Sequence, residues 1–501
     1  MSHSYPNFYR TPSADIGIAS YVSPVNQIQI NGTCYKENQN ITSIDLKRTP
    51  FVDNRMDNSF YNCRSLTSVT NINPNITDMP QTYMFCTNLT QVPEIPSGVA
   101  ATLRTFWSCS NLATVPSLPN RVVQAYGVYA YCSSITQTPT VPDSVTNAGQ
   151  FMPGCTNITD INFIANNATN THQAVRHCSK ATSINISVPK SLDCSMMVAE
   201  EDVLTDCNIY APNCISVQDL FWCSNNLVNV HAEFNSVPNI ANLFANHSTL
   251  QTVNVAAQSA TNAQYMFSNC NTLTSITWNV PNLIYMRSTF ENCQSIVNIP
   301  AIPNSVTDMW STFTNCHSLN IYSVQIPNSV TNLTSTFAQC NGLTNISNYQ
   351  LPDTTVIMDR TFYRCNSLTD APIIPDSVAH LGQCFQDCYS LIHIPNIPAG
   401  VIIMNRTFAY CNNLTQNIYI KSNTVYDANN CFSGTSLTKN VYIPFYYENG
   451  VQSATYNAFT AAGYKIDGSV NGVYLKDINN NYFTLSVNTT PSDATVTLVE
   501  E

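Results

Sequence analysis

Apolar side chains recur along most of this chain at gaps of three and four residues. In the stretch that begins at Cys293 they fall at Ile296, Ile299, Ile302, Val306, Met309, Phe313 and Cys316. The same positions read Leu66, Val69, Ile72, Ile76, Met79, Tyr83 and Cys86 near the start, and Leu391, Ile394, Ile397, Val401, Met404, Phe408 and Cys411 near the end. Turn signals such as Pro-Asn-Ser and Pro-Asp-Ser interrupt every unit, so the pattern is not one long helix. Each unit is predicted to be a closed coil. A short strand starts at the Leu or Ile three residues after Cys, a helical turn surrounds Thr-Phe-x-x-Cys, and each inward side chain stacks on its equivalent in the next coil.

The cysteines set the register: Cys63, Cys86, Cys109, Cys132, Cys155, Cys178, Cys223, Cys270, Cys293, Cys316, Cys340, Cys365, Cys388 and Cys411, with Glu200, His247 and Gly434 read in the same column. The steps are mostly 23 residues, with one of 22, two of 24 and one of 25. A fixed period of this length marks a stacked-repeat architecture. The Cys, Phe, Leu and Pro-x-Ser-Val elements recur together, and the unit resembles the repeat of the BspA-type leucine-rich repeat family, Leu-x-x-Ile-x-Ile-Pro-x-x-Val-x-x-Ile-(x)n-Phe-x-x-Cys, over roughly residues 46 to 440. The resemblance implies an α/β solenoid of leucine-rich repeat coils and, by itself, a bacterial cell-surface adhesin. Several units depart from it by carrying two prolines, as in Pro93/Pro96, Pro116/Pro119, Pro139/Pro142, Pro300/Pro303, Pro372/Pro375 and Pro395/Pro398. Each proline removes a backbone donor, so the sheet should be short or polyproline-like in those coils.

Three segments follow. Residues 1–45 read as an N-terminal arm and cap, rich in aromatics and proline. Residues 46–464 read as the solenoid of about seventeen coils, at ~4.8 Å per coil a rod or arc of roughly 80 Å. Within it, 162–222 keep the period but lose the letters, a place for a kink, an inserted loop or a partner site. Tyr456–Tyr464 reads as a closing helical turn. Residues 465–501 read as a small β-rich segment with strands at Tyr482–Val487 and Ala494–Leu498, and they resemble a bacterial immunoglobulin-like or PEGA-like module.

Composition narrows the functions. Only 10% of the 501 residues are charged, so the polar surface must come from Asn, Thr and Ser. A net charge of -11 without any Lys/Arg cluster argues against nucleic acid as a partner. No apolar run approaches the ~20 residues of a membrane span. The start, Met-Ser-His-Ser-Tyr-Pro, lacks the pattern of a secretory signal. The repeat cysteines are expected to be buried free thiols acting as small hydrophobes.

No motif for nucleophilic, metallo or phosphate chemistry occurs, and 14 glycines leave little for phosphate-binding loops. No enzyme activity, cofactor or metal is expected. Cys194, Cys207 and Cys214 lie off the ladder but lack zinc-ligand spacing. The acidic run Glu200, Glu201, Asp202 and Asp206 could bind Ca²⁺, but such a run ordinarily forms a solvated face. The candidate partner-binding residues are the arm aromatics Tyr5, Phe8 and Tyr9, the ladder neighbours Trp107, Trp222 and Trp310, and the acidic pair Glu201 and Asp202. Exposed aromatics among Asn and Ser grip sugars and protein surfaces; packing between coils is the plainer reading.

Taken together these features predict a structural and adhesive protein of a bacteriophage virion, made in the host cytoplasm. Its partners would be a protein or glycan surface, and other virion proteins reached through the arm or tail, within an oligomer or assembly. The alternatives are a bacterial cell-surface adhesin and an intracellular scaffold.

Overall fold

The computed structural model describes residues 35–416, 418–435 and 453–462, together with strands at 21–22, 440–443, 473–476, 482–485 and 494–497. The chain divides into two compact units, Met1–Ser224 and Asn225–Glu501. Both are built from coils whose equivalent backbone positions pair in parallel with the next coil.

In the first unit, β1 (Tyr21–Val22), β2 (Ser43–Asp45) and β3 (Ser68–Val69) form a parallel sheet. Further on, β4 (Asp160–Ile164), β5 (Ser183–Ser187) and β6 (Asp206–Tyr210) pair in parallel in steps of one coil. The second unit holds the parallel strands β7 (Asn229–Glu233), β8 (Thr252–Ala256) and β9 (Ser275–Asn279). These strands alternate inward and outward. Ile161 and Phe163 of β4, for example, are buried between exposed Asp160, Asn162 and Ile164.

Proline decides where the sheet extends. The five-residue strands all lie in coils without a proline pair, and the paired-proline coils offer single bridges such as Ser68↔Gln91 and Asp370↔His393. The expected loss of sheet is therefore observed, because a proline cannot donate to the ladder. The second proline of each pair instead starts a turn, its carbonyl accepting the N–H of the valine three residues on, as from Val145 to Pro142 at 3.0 Å. The divergent stretch 162–222 holds the repeat register and carries β4, β5 and β6; no inserted loop is found there among the described residues.

The segment around Thr-Phe-x-x-Cys is a chain of short turns. Between Asp78 and Cys86, the N–H groups of Met79, Gln81, Tyr83 and Phe85 donate to Ala101, Leu103, Thr105 and Trp107 of the next coil at 2.8–3.0 Å. The alternate N–H groups of Thr82, Met84 and Cys86 donate three residues back, with the spacing of a 3-10 turn. A continuous helix would spend every N–H on itself. Instead two residues per coil, here Gln81 (φ 53°) and Phe85 (φ 64°), adopt the left-handed conformation and aim their neighbours' donors at the adjacent coil. Asn and Asp at the bridge column fix the entry to these turns: Asn147, Asn170, Asp193, Asn262 and Asp308 each accept the N–H two residues on.

Inside, the phenylalanines stack. In the second unit the column runs from Phe244 through Phe267, Phe290, Phe313, Phe337, Phe362, Phe385 and Phe408 to Phe432, with ring centroids 5.4–5.7 Å apart and planes within about 11°. In the first unit it starts at Tyr35 on Phe60, ahead of residue 46 where the repeat was expected to begin. The C-terminal cap is α1 (Ala454–Ala461), the expected closing helix. The Ser453 side chain caps its N-terminus, and Phe459 adds a last ring over Phe432 at 6.2 Å.

Beyond the coils, β10 (Ile418–Tyr419) pairs in parallel with β11 (Asn440–Ile443). Two strands follow as an antiparallel pair, β12 (Val473–Lys476) and β13 (Tyr482–Leu485), and β14 (Ala494–Thr497) runs antiparallel to β11. The strands expected in the tail are thus present as backbone pairs.

Candidate functional site

The cysteine ladder is structural. Every described cysteine is free, and all but Cys223 are buried. Each ladder thiol donates to a carbonyl 26 to 28 residues back, as from Cys316 to Phe290 at 3.1 Å and from Cys365 to Phe337 at 3.2 Å. Burial pushes the thiols up, to about 12 at Cys132 and at Cys340, so no thiolate nucleophile is offered. Among the described residues no group of three or more His, Cys, Asp or Glu is placed to hold a metal ion.

The structure corrects the ladder's register at three points. Glu201, Ser224 and Thr435 face inward, where Glu200, Cys223 and Gly434 were expected. Ser224 donates to Val198 26 residues back at 2.8 Å, as a ladder cysteine does. Glu200, Cys223 and Gly434 hold the left-handed position just before the ladder, with φ of 63°, 61° and 70°. From Cys63 to Cys316 the inward step is then 23 residues throughout.

This shift moves a candidate partner residue into the core. Glu201 is fully buried rather than part of a solvated acidic face. Its Oε1 accepts the Cys178 N–H at 3.0 Å, while its buried Oε2 lacks a hydrogen-bond partner. Burial pushes its carboxyl up to about 8. Asp202 beside it is exposed. Glu200 points outward into a bidentate pair with Arg176 at 2.5 and 3.1 Å.

The aromatic candidates do not converge. Tyr5, Phe8 and Tyr9 lie outside the described residues. Trp107 and Trp222 occupy one outward column of the first unit, several coils apart, and Trp222 is 50% exposed. Trp107 is half-buried, with the Arg104 guanidinium 5.2 Å from its ring and Gly127 of the next coil beneath it. Trp310 is 37% exposed and stacks under Arg287 at 4.4 Å. The same arrangement places Tyr131 over Gly154 and Tyr410 over Gly434, where a Cβ would stand 2.5 and 2.4 Å from the ring. Packing against a neighbouring coil or an arginine thus holds these rings, which stay partly exposed.

A concave site forms where proline-bearing coils give way to β4. Pro139 has no N–H to give the ladder, and the Thr138 hydroxyl stands in for it, donating to the Asp160 carbonyl at 3.5 Å and accepting the Asn162 N–H at 3.0 Å. The misfit leaves a groove of about 470 Å³ between Thr136–Val141 and the exposed positions Asp160, Asn162 and Ile164. A second hollow of about 360 Å³ adjoins it along Ala113–Ser117. Asp160 is held rigid by Ser183 at 2.7 Å and Thr159 at 3.0 Å, and these bonds keep its carboxyl below the usual range. Next to it Asn185 donates to Asn162 at 2.8 Å. The floor is therefore hydroxyls, amides and one fixed carboxylate, with Pro139, Val141 and Ile164 as apolar walls. Sequence reasoning missed this groove, although its signal was present: a two-proline unit at Pro139/Pro142 followed by one with none.

The repeat pattern described as BspA type leucine rich repeat region (6 copies) matches residues 13–116, 102–195, 215–344 and 335–465. The match stops there and lends no support to an immunoglobulin-like or PEGA-like module in the tail. No curated protein matches the chain. Among solved structures, a leucine-rich repeat protein from Bacteroides ovatus ATCC 8483 is 16% identical, with 78% of this chain and 89% of that chain covered and a TM-score of 0.42. A leucine rich cell surface protein from Faecalibacterium prausnitzii A2-165 is 20% identical over 76% and 88%, with a TM-score of 0.33. A leucine-rich repeat protein from Eubacterium ventriosum ATCC 27560 is 13% identical over 62% and 84%, with a TM-score of 0.32. The family match over most of the chain corrects the expectation of a bacteriophage virion component: the virion location, the phage-fibre role and the virion partners are all withdrawn. Among the described residues no helix is long and apolar enough to cross a membrane. With the repeat matched over most of its length, this chain belongs to the BspA type leucine rich repeat family.

Proposed function

We propose that this protein is a bacterial cell-surface adhesin, non-enzymatic, whose groove beside β4 binds an uncharged, hydroxyl-rich glycan chain. The observation that carries the reading is the groove's floor, where the carboxylate of Asp160 and the amide of Asn162, the latter held by Asn185 from the next coil, are already fixed by hydrogen bonds. Such groups bind sugar hydroxyls with little further ordering cost, while Pro139 and Ile164 suit the apolar edge of a sugar ring. Partly exposed rings such as Trp222 add places where a longer ligand could rest. The strand-rich tail belongs to this proposal as the segment that docks or extends the adhesin; β14 pairing with β11 supports docking, and the β12–β13 pair supports the module-like reading.

The test is binding of the full chain to a panel of immobilised neutral glycans and to peptides, with Thr138→Val and Asp160→Asn variants. Retained fold with a loss of about tenfold or more in glycan affinity is expected, on the scale of one lost hydrogen bond to a charged group. Unchanged glycan binding in both variants, or binding confined to peptides, would sink the reading. Labelling of intact producing cells with a membrane-impermeant reagent tests the location.

A further inference from the structure

Among the described residues one arginine is held against aromatic rings without an acid to neutralise it. The Arg104 guanidinium lies over the ring of Trp107 in its own coil, 5.2 Å from the ring centre, and over Tyr126 of the next coil at 5.5 Å. Glycines make the room. A Cβ on Gly127 would stand 2.9 Å from the Trp107 ring and 3.0 Å from Arg104 Cγ, and a Cβ on Gly149 would stand 2.9 Å from Tyr126. The other stacked arginines carry their own carboxylate: Arg287 on Trp310 has Asp308 at 3.6 Å, and Arg364 on Tyr363 has Asp387 at 3.3 Å. Arg104 has neither an ion pair nor a hydrogen bond from its side chain among the described residues. The neighbouring coil explains why. Gln150 and Arg360 hold the same place in their coils and bond to Gln173 and Gln383, each 23 residues on. The residue 23 on from Arg104 is Gly127, which has no side chain to offer, and residues 122–130 include no Asp or Glu. The Nε of Arg104 is buried, so the half-buried side chain keeps its Nη groups for solvent.

We propose that Arg104, Trp107 and Tyr131 form a second binding site, which takes an acidic sugar residue through its carboxylate. The Nη groups of Arg104 donate to the two carboxylate oxygens, the fork geometry that guanidinium and carboxylate share. The rings already fix the guanidinium, so little side-chain freedom is lost when the ligand arrives. Tyr131 is 40% exposed, with its centroid 5.3 Å from that of Trp107, and gives the C–H face of the sugar an apolar surface beside the charge. A sugar acid carries its carboxylate on the ring, so charge and apolar face come together. An Asp or Glu side chain brings the charge on a flexible stem and has no flat face for the ring. A chain of net charge -11 offers polyanions no general attraction, so the binding is local to the unpaired cation. None of these three residues lines the groove beside β4, and the site goes beyond the neutral-glycan reading.

The experiment measures binding of the full chain to immobilised oligogalacturonate, to the same oligosaccharide with its carboxylates methyl-esterified, and to poly-glutamate. The acid should bind about tenfold or more tightly than the ester, the scale of a lost hydrogen bond to a charged group. Arg104→Gln should remove that preference, while Thr138→Val in the groove keeps it. No preference for the acid over the ester in the wild type would overturn the proposal. So would poly-glutamate binding as tightly as oligogalacturonate, or a folded Arg104→Gln that still prefers the acid. Loss of the preference in a folded Thr138→Val would put the acid in the groove and overturn it too. Where Arg104→Gln fails to fold, Arg104→Lys decides: it keeps the charge and the stem but not the fork, so its affinity for the acid should fall severalfold, and an unchanged affinity would refute the site.

Discussion

At Glu201 a single residue sets a pH dependence for the stack around it. A carboxyl pushed up to about 8 by burial is protonated in the folded chain at pH values where the unfolded chain, near the ordinary 4.5, has ionised. The unfolded state then holds fewer protons, so stability falls as pH rises from about 4.5 to about 8, by about 1.4 kcal/mol per pH unit from this group alone. Glu201→Gln keeps an oxygen for the Cys178 N–H and removes the titration. Its denaturation midpoint should be nearly level between pH 5 and pH 8 while the wild type declines; parallel slopes would refute the assignment. The residue scale is also where sequence and structure parted. Aligning on the letter Cys pulled Cys223 into the ladder, yet Phe221 and Ser224 keep the Phe-x-x spacing that defines the inward position. The period was legible in side-chain identity, whereas the burial of Glu201 was legible only in spacing.

Elements in this chain are stabilised by what lies above and below them. A three-residue strand or an eight-residue helix is marginal alone, and here each is held by hydrogen bonds to an adjacent coil. The helix α1 ends the series because Thr455 donates to the Ser422 carbonyl at 2.7 Å and Phe459 covers Phe432. Phe459→Ala should cost ~3–5 kcal/mol at this end. Amide exchange should then quicken in 453–462 and in the coil from Met404 to Thr435 while the first unit stays protected. Protection retained at that end would mean the helix is not the cap. The prolines made the limits of the sheet legible in advance, because a missing donor is a property of the residue itself. The groove was not, since it arises from two unlike neighbouring coils, and no single unit shows it.

Across the whole molecule, cohesion comes from backbone ladders, stacked rings and buried thiols rather than charge. The ion pairs among the described residues, such as Arg55–Asp78 and Arg364–Asp387, have at least one partly exposed partner. Exposed pairs contribute ~0–1 kcal/mol and are screened by salt. Raising sodium chloride from about 0.05 to 1 M should therefore shift the thermal midpoint by only about 2 °C or less. A shift of ten degrees would show that charge matters far more than the ladders suggest. Between Cys63 and Cys178 the turn segment of each coil presents to the next the same donors, the same carbonyls and the same two left-handed residues. Copying or deleting one such block would leave no bond of these turn segments unmade. The distance such a stack spans is thus a quantity the gene can adjust by recombination, in increments of about 4.8 Å, without a new packing solution at any step.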